Sequence, residues 1–142
     1  LAIPFITGVH AADQGNADDA VAMVKKAKAL MLSNGKEKAF AEFMNPQGAF
    51  HDRDLYIGVL DMNGVTVLNG GNAKIAPGKS MIELKDIDNK YFIKDFITIA
   101  KSKGNGWVDY KWPNPSTKQI GVKSTYVEKV DDLIVICGYF KS

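Results

Sequence analysis

At 142 residues the chain is long enough for one domain with a core of its own and too short for two ordinary ones. Hydrophobic residues make up 46 % and charged residues 24 %, the balance of a folded globular protein rather than a disordered one. A formal charge of +2 provides no field to recruit nucleic acid or an anionic membrane surface.

In chain order, Leu1–Val9 is apolar and uncharged and runs into Val9-His10-Ala11. A small residue with a valine two before it suits a signal-peptidase site, so residues 1–12 read as a residual signal-peptide-like segment and 13–142 as the domain. This stretch is too short to span a bilayer, and the expectation is an exported, periplasmic or secreted protein without a membrane span. The alternative is an apolar N-terminal element that packs on the domain or on a second copy, giving a homodimer.

Asn16 suits an N-cap, with Asp18 and Asp19 in the first turn. From Ala17 to Leu32, Ala20, Met23, Val24, Ala27, Leu30 and Met31 follow the spacing of one helical face, leaving Lys25, Lys26 and Lys28 to solvent. Asn34-Gly35 ends this helix, and a second, Lys36–Met44, stops at Asn45-Pro46. Leu55–Asp61 reads as a strand covered on both faces, turned by Asp61-Met62-Asn63-Gly64 into the antiparallel Val65–Asn69. Gly70 to Lys79 is loop, Met81–Asp88 fits no single period, and Tyr91–Lys101 has helical spacing. Strands Trp107–Trp112, Gln119–Glu128 and Leu133–Phe140 complete the order. The prediction is an α+β fold: an antiparallel sheet of about five strands, with a long N-terminal helix on one face and loops and a shorter helix on the other.

Catalytic chemistry finds little support. Cys137 is alone, which excludes an internal disulfide and a thiolate metal cluster. His51 and Asp52 are neighbours in a strand-like stretch and point apart. Asp52, Asp54, Asp61 and Asp109 are scattered over strand ends and turns, and no phosphate loop is present. No enzyme is expected, and no cofactor.

The blocks "FHDRDLYIGVLDMNG", "GNGWVDYKWPNP" and "VKSTYVEKVDDLIVICGYF", following the long amphipathic helix, resemble the single Cache domain of type 2, a PAS-like extracytoplasmic sensor module. The likeness covers about Ala17 to Lys141. It implies a ligand pocket between the sheet and the loops on one face, often for short carboxylates, and a role in chemotaxis or other signal transduction. Without a membrane span, a stand-alone binding protein with a receptor or transporter partner is expected. Lacking Cys-x-x-Cys-His, the chain does not match a haem-bearing relative.

Carried over residue by residue, the resemblance points to Arg53, Tyr56, Asn69, Tyr110, Trp112, Lys123 and Tyr126 as ligand-binding. Tyr110 and Trp112 alternate onto one face of their strand, where they serve either core or pocket. Lys123 stands in a strand rich in Val, Ile, Thr and Tyr, where it is either an exposed edge residue or a cation kept for a ligand. Tyr126 shares its face only if a bulge near Gly121 or Ser124 intervenes. Arg53 offers a planar fork for a carboxylate, or pairs with Asp52 or Asp54. Asn69 stands where relatives often carry a histidine. Asp109, the mid-strand acid, alternates away from Tyr110 and Trp112, so the expected ligand is a small organic anion rather than an amine: acetate, propionate, pyruvate or lactate. The competing expectation is an interaction or dimerisation module without a ligand, and behind it a small hydrolase.

Overall fold

A capping box opens the first helix. In the computed structural model, which describes residues 14–141, the Asn16 side chain accepts from the Asp19 N–H at 2.9 Å. The Asp19 carboxylate accepts from the Asn16 N–H at 3.2 Å. Helix α1 (Ala17–Asn34) runs to Gly35, whose φ of 89° ends it, and α2 (Lys36–Met44) follows directly. The apolar stripe of α1 is buried as its spacing predicts, at Ala20, Met23, Val24, Ala27 and Met31. The proposed leader and its boundary at residue 12 lie outside the described residues.

The main sheet has five strands in the order β4-β3-β7-β6-β5, every neighbouring pair antiparallel. Its members are β3 (Gly58–Asp61), β4 (Thr66–Asn69), β5 (Asn105–Asn114), β6 (Gln119–Val130) and β7 (Leu133–Phe140). Helices α1 and α2 cover one face with Val135, Cys137, Tyr126 and Val130. Helix α3 (Phe92–Ser102) covers the other with Val108, Tyr110, Val127 and Ile134. The expected α+β architecture, a PAS-like antiparallel sheet under a long N-terminal helix, is the observed one.

The expected continuous strand Leu55–Asp61 is broken at Ile57. Arg53, at φ 59°, turns the chain into a tight hairpin in which β1 (His51–Asp52) pairs with β2 (Leu55–Tyr56). A local partner therefore takes Leu55 and Tyr56, and the main sheet begins at Gly58.

The segment Met81–Asp88, of no clear period, forms turns rather than a helix or strand. Asp86 holds it down: its carboxylate accepts from the N–H groups of Asp88 and Lys90 and from Lys111 of β5, each at 2.9 Å. These backbone donors, Lys111 first, keep the Asp86 carboxyl below its ordinary pKa. This pinned loop and α3 roof the sheet on the face opposite α1.

Lys25 and Lys28 do more than face solvent. Their ammonium groups lie 2.7 and 3.0 Å from the two oxygens of Glu128, whose side chain on the α1 face of β6 is 4 % exposed. Tyr126 donates to the same carboxylate at 2.6 Å. Burial raises the Glu128 pKa, but the bonds from Lys25, Tyr126 and Lys28 outweigh it and hold the carboxyl below its ordinary value. The first helix is thus tied to the sheet by an ion pair linking residues 100 positions apart.

Candidate functional site

The β5–β6–β7 ladder determines which side chains can meet. Registers run unbroken from Asn105↔Glu128 to Asn114↔Gln119 and from Lys123↔Phe140 to Val130↔Leu133. Alternation along them puts Tyr110, Trp112, Lys123, Thr125, Gly138 and Phe140 on the α3 face. Asp109, Ser124 and Tyr126 point to the other face. The bulge that would have brought Tyr126 beside Lys123 does not form. Tyr126 packs in the α1 cluster and engages Glu128, away from the cavity-lining residues. Its assignment to the pocket is corrected by the continuous register.

Between the α3 face, the hairpin and the roof loop lies a cavity of about 1040 Å³. Arg53, Tyr56, Asn69, Tyr110, Trp112 and Lys123 all border it. At one end Lys123 is 6 % exposed, and its Nζ donates to Tyr56 Oη at 3.2 Å. The ammonium also lies 5.0 Å from the centroid of the Tyr56 ring and 5.4 Å from that of Phe140. Among the described residues no carboxylate comes within 4.0 Å of it. Burial by itself pulls the ammonium's pKa down; the oxygens of Tyr56 and Tyr110 and the hydrogen bond to Tyr56 more than offset it, leaving the value above that of a free lysine. Among the described residues Lys123 is therefore a buried cation held by phenolic and aromatic neighbours, with no carboxylate beside it.

The surroundings of Lys123 hold it in place. Tyr110 Oη shares a 2.9 Å hydrogen bond with Thr125 Oγ1 two residues along the strand. The Tyr110 ring stacks on Phe92 at 4.0 Å, with Trp112 edge-on to Phe92 at 5.2 Å. Trp112 and Tyr110 are thus both core and wall. The Tyr56 ring lies against Gly71, where any Cβ would come within 2.5 Å of it. Asn69 Oδ1 accepts from the N–H groups of Gly71 and Asn72, both at 2.9 Å, and so shapes that loop.

Arg53 borders the cavity but is already engaged. Its guanidinium donates to Asp52 through Nε at 3.0 Å and Nη2 at 2.8 Å, to Asp19 at 3.0 Å, and to the Gln14 carbonyl at 3.0 Å. The Asp52 carboxyl is lowered by its hydrogen bond from Arg53, and the guanidinium is raised by the same contact. The pairing is with Asp52 and Asp19, not Asp54. Arg53 joins the hairpin to α1, and Lys123 is the cation of the cavity.

Sequence reasoning missed several members of the cavity wall. Thr125 shares the face of Lys123 by simple alternation and could have been found that way. Gly138 and Phe140 become visible only through the register of β7. His51, which donates from Nε2 to the Gly70 carbonyl at 2.7 Å, leaves Nδ1 buried and, among the described residues, unpartnered; Asp54 Oδ2 and Thr66 Oγ1 are likewise buried without a partner among them. All three residues border the cavity. Among the described residues no group of three His, Cys, Asp or Glu side chains could hold a metal ion.

The Cache domain family dCache_2 matches residues 18–141, and the chain belongs to the Cache domain family. The sequence resemblance named the single-domain type 2 variety, and the match is to dCache_2. The sensor histidine kinase MctS of Rhizobium johnstonii (strain DSM 114642 / LMG 32736 / 3841) is 32 % identical over 81 residues, 57 % of this chain and 17 % of the kinase. The chain thus matches under a fifth of that relative's length. Among solved structures, a periplasmic sensor domain of a chemotaxis protein superposes with a TM-score of 0.69 at 20 % identity, over 88 % of this chain and 90 % of that one. A Cache chemosensory domain studied for carboxylic acid recognition superposes with a TM-score of 0.67 at 22 % identity, over 88 % of each chain. At these identities the structural matches establish the fold.

Proposed function

We propose that this chain is an extracytoplasmic sensor-type domain that binds an organic carboxylate, with the carboxylate group at Lys123. The acids expected there are acetate, propionate, pyruvate or lactate. The observation that carries the reading is the Lys123 ammonium, buried at the end of a cavity with phenolic and aromatic neighbours and, among the described residues, no carboxylate within 4.0 Å. A hydrogen bond between charged groups contributes roughly 1.5–3 kcal/mol. Two such bonds together with buried aliphatic carbon approach the ~8 kcal/mol of a micromolar complex. The carboxylic-acid-recognising Cache domain of similar fold supports the class of ligand. The sensor kinase relative supports a role in signalling through a partner or a longer polypeptide.

Thermal melting with a panel of these four acids tests it. At one hundred times its dissociation constant a ligand stabilises the fold by about 2.7 kcal/mol, and Lys123→Ala should abolish that shift. A panel that leaves the melting temperature of the wild type unmoved sinks the proposal and favours an interaction module.

A second reading has one observation in its favour. Asp54 borders the cavity; its Oδ1 accepts from the Gly15 N–H at 2.6 Å and its Oδ2 is buried and unpartnered. An acid that also carries an amine would satisfy both Asp54 and Lys123. Tighter binding of β-alanine than of propionate separates this reading from the first.

A further inference from the structure

The cavity is much larger than its charged end requires. Its volume is about 1040 Å³, whereas an acid of acetate size fills on the order of 100 Å³, judged against the ~30 Å³ share of one water. Beyond Lys123 the floor runs from Gly138 to Ile136 on β7 and then to Leu60 on β3, which pairs with Ile134. Four residues separate the Gly138 and Ile134 rows, roughly 13 Å of strand. Met81, Phe92, Ile93 and Phe96 wall this stretch with carbon. At its far end Thr66, 4 % exposed, borders the space, its hydroxyl buried and without a partner among the described residues.

We infer that the ligand is an elongated monocarboxylate whose chain lies over Gly138 and Ile136 toward Thr66; this rests on the carboxylate reading above. The charged end orients the molecule because Lys123 has no carboxylate within 4.0 Å among the described residues. The apolar trough then rewards chain length, since covering carbon with carbon removes both from water. Each added methylene should tighten binding roughly fourfold until the trough is full. The same wall would leave a two-carbon acid largely surrounded by water.

Titration calorimetry of the 142-residue chain with acetate, butyrate, hexanoate, octanoate and octylamine decides the matter. The expected result is a steady gain, on the order of 100-fold or more over the four methylenes from butyrate to octanoate, with octylamine silent. Met81→Trp, which fills the trough from the roof loop, should weaken octanoate at least roughly tenfold more than acetate; Ile75→Trp, at another cavity-lining residue, replaces it if that variant does not fold. Equal or weaker binding of octanoate than butyrate, with acetate still bound, overturns the chain-length inference and leaves the carboxylate reading intact. Octylamine binding as tightly as octanoate overturns it too, because Lys123 would not be orienting the chain. Silence from every acid removes both readings together.

Discussion

The side chain of Lys123 crosses the strand beside it through the space that Gly138 leaves open. A Cβ at position 138 would come within 2.6 Å of Lys123 Cε and 2.4 Å of Thr125 Oγ1. The lysine reaches Tyr56 because β7 has no side chain at that row. Gly138→Ala should therefore destabilise the fold by about 1–3 kcal/mol, the usual penalty for overpacking. It should also weaken carboxylate binding further than the lost stability explains, since the ammonium is displaced. Urea denaturation paired with calorimetry on the same variant measures both effects.

Lys123→Met removes the charge and keeps most of the volume. The ammonium's own neighbours are two rings and a phenol oxygen, so an apolar group of similar volume packs there at small cost. The ligand-free variant should melt close to the wild-type temperature and bind no carboxylate. A clear loss of stability in the apoprotein would mean that the ammonium already has an anionic partner in the folded chain.

The two faces of the sheet make opposite predictions for two tyrosines. Tyr56→Phe removes the oxygen that receives the Lys123 Nζ–H, and carboxylate affinity should change by roughly 1 kcal/mol, the typical value of one hydrogen bond. Tyr126→Phe removes a donor to Glu128 on the far face. It should lower stability by a similar amount and leave affinity untouched. Reversal of this pattern would place the ligand on the α1 side.

Acid should loosen the attachment of α1. The folded Glu128 carboxyl is held below its ordinary value of 4.5, so its contribution is complete above that pH and is lost as pH falls through the lower, folded value. Glu128→Gln should remove this part of the acid transition. At neutral pH the variant should cost about 1–3 kcal/mol, since Lys25 and Lys28 are exposed enough to return to water. Denaturation midpoints of both proteins across pH 3–7, read against the shift of Glu128, check the sign.

Cys137 is 1 % exposed and its thiol is pushed up to about 12 by burial. A thiol reagent should leave the native protein unmodified at neutral pH and titrate it fully once urea unfolds the chain. Fast labelling of the native state would show that β7 opens locally.

The chain itself carried the local rules. The 3.6-residue stripe of α1, its Asn16 cap, Gly35, the Asn63-Gly64 turn and the alternation of β5 and β6 are short-range facts, and they specified the helices, the last three strands and the common face of Tyr110 and Trp112. The same alternation separates Lys123 from Tyr126, and only an imagined bulge joined them. Tertiary structure decided what depends on residues far apart in sequence. It paired Arg53 with Asp19, joined Glu128 to Lys25 and Lys28, passed Lys123 over Gly138 to Tyr56, and left a hollow under the Asp86-pinned loop. Periodicity reports which way a side chain points. Whether a charge finds a partner there, or a space that nothing in the chain fills, depends on the register and packing of segments a hundred residues apart.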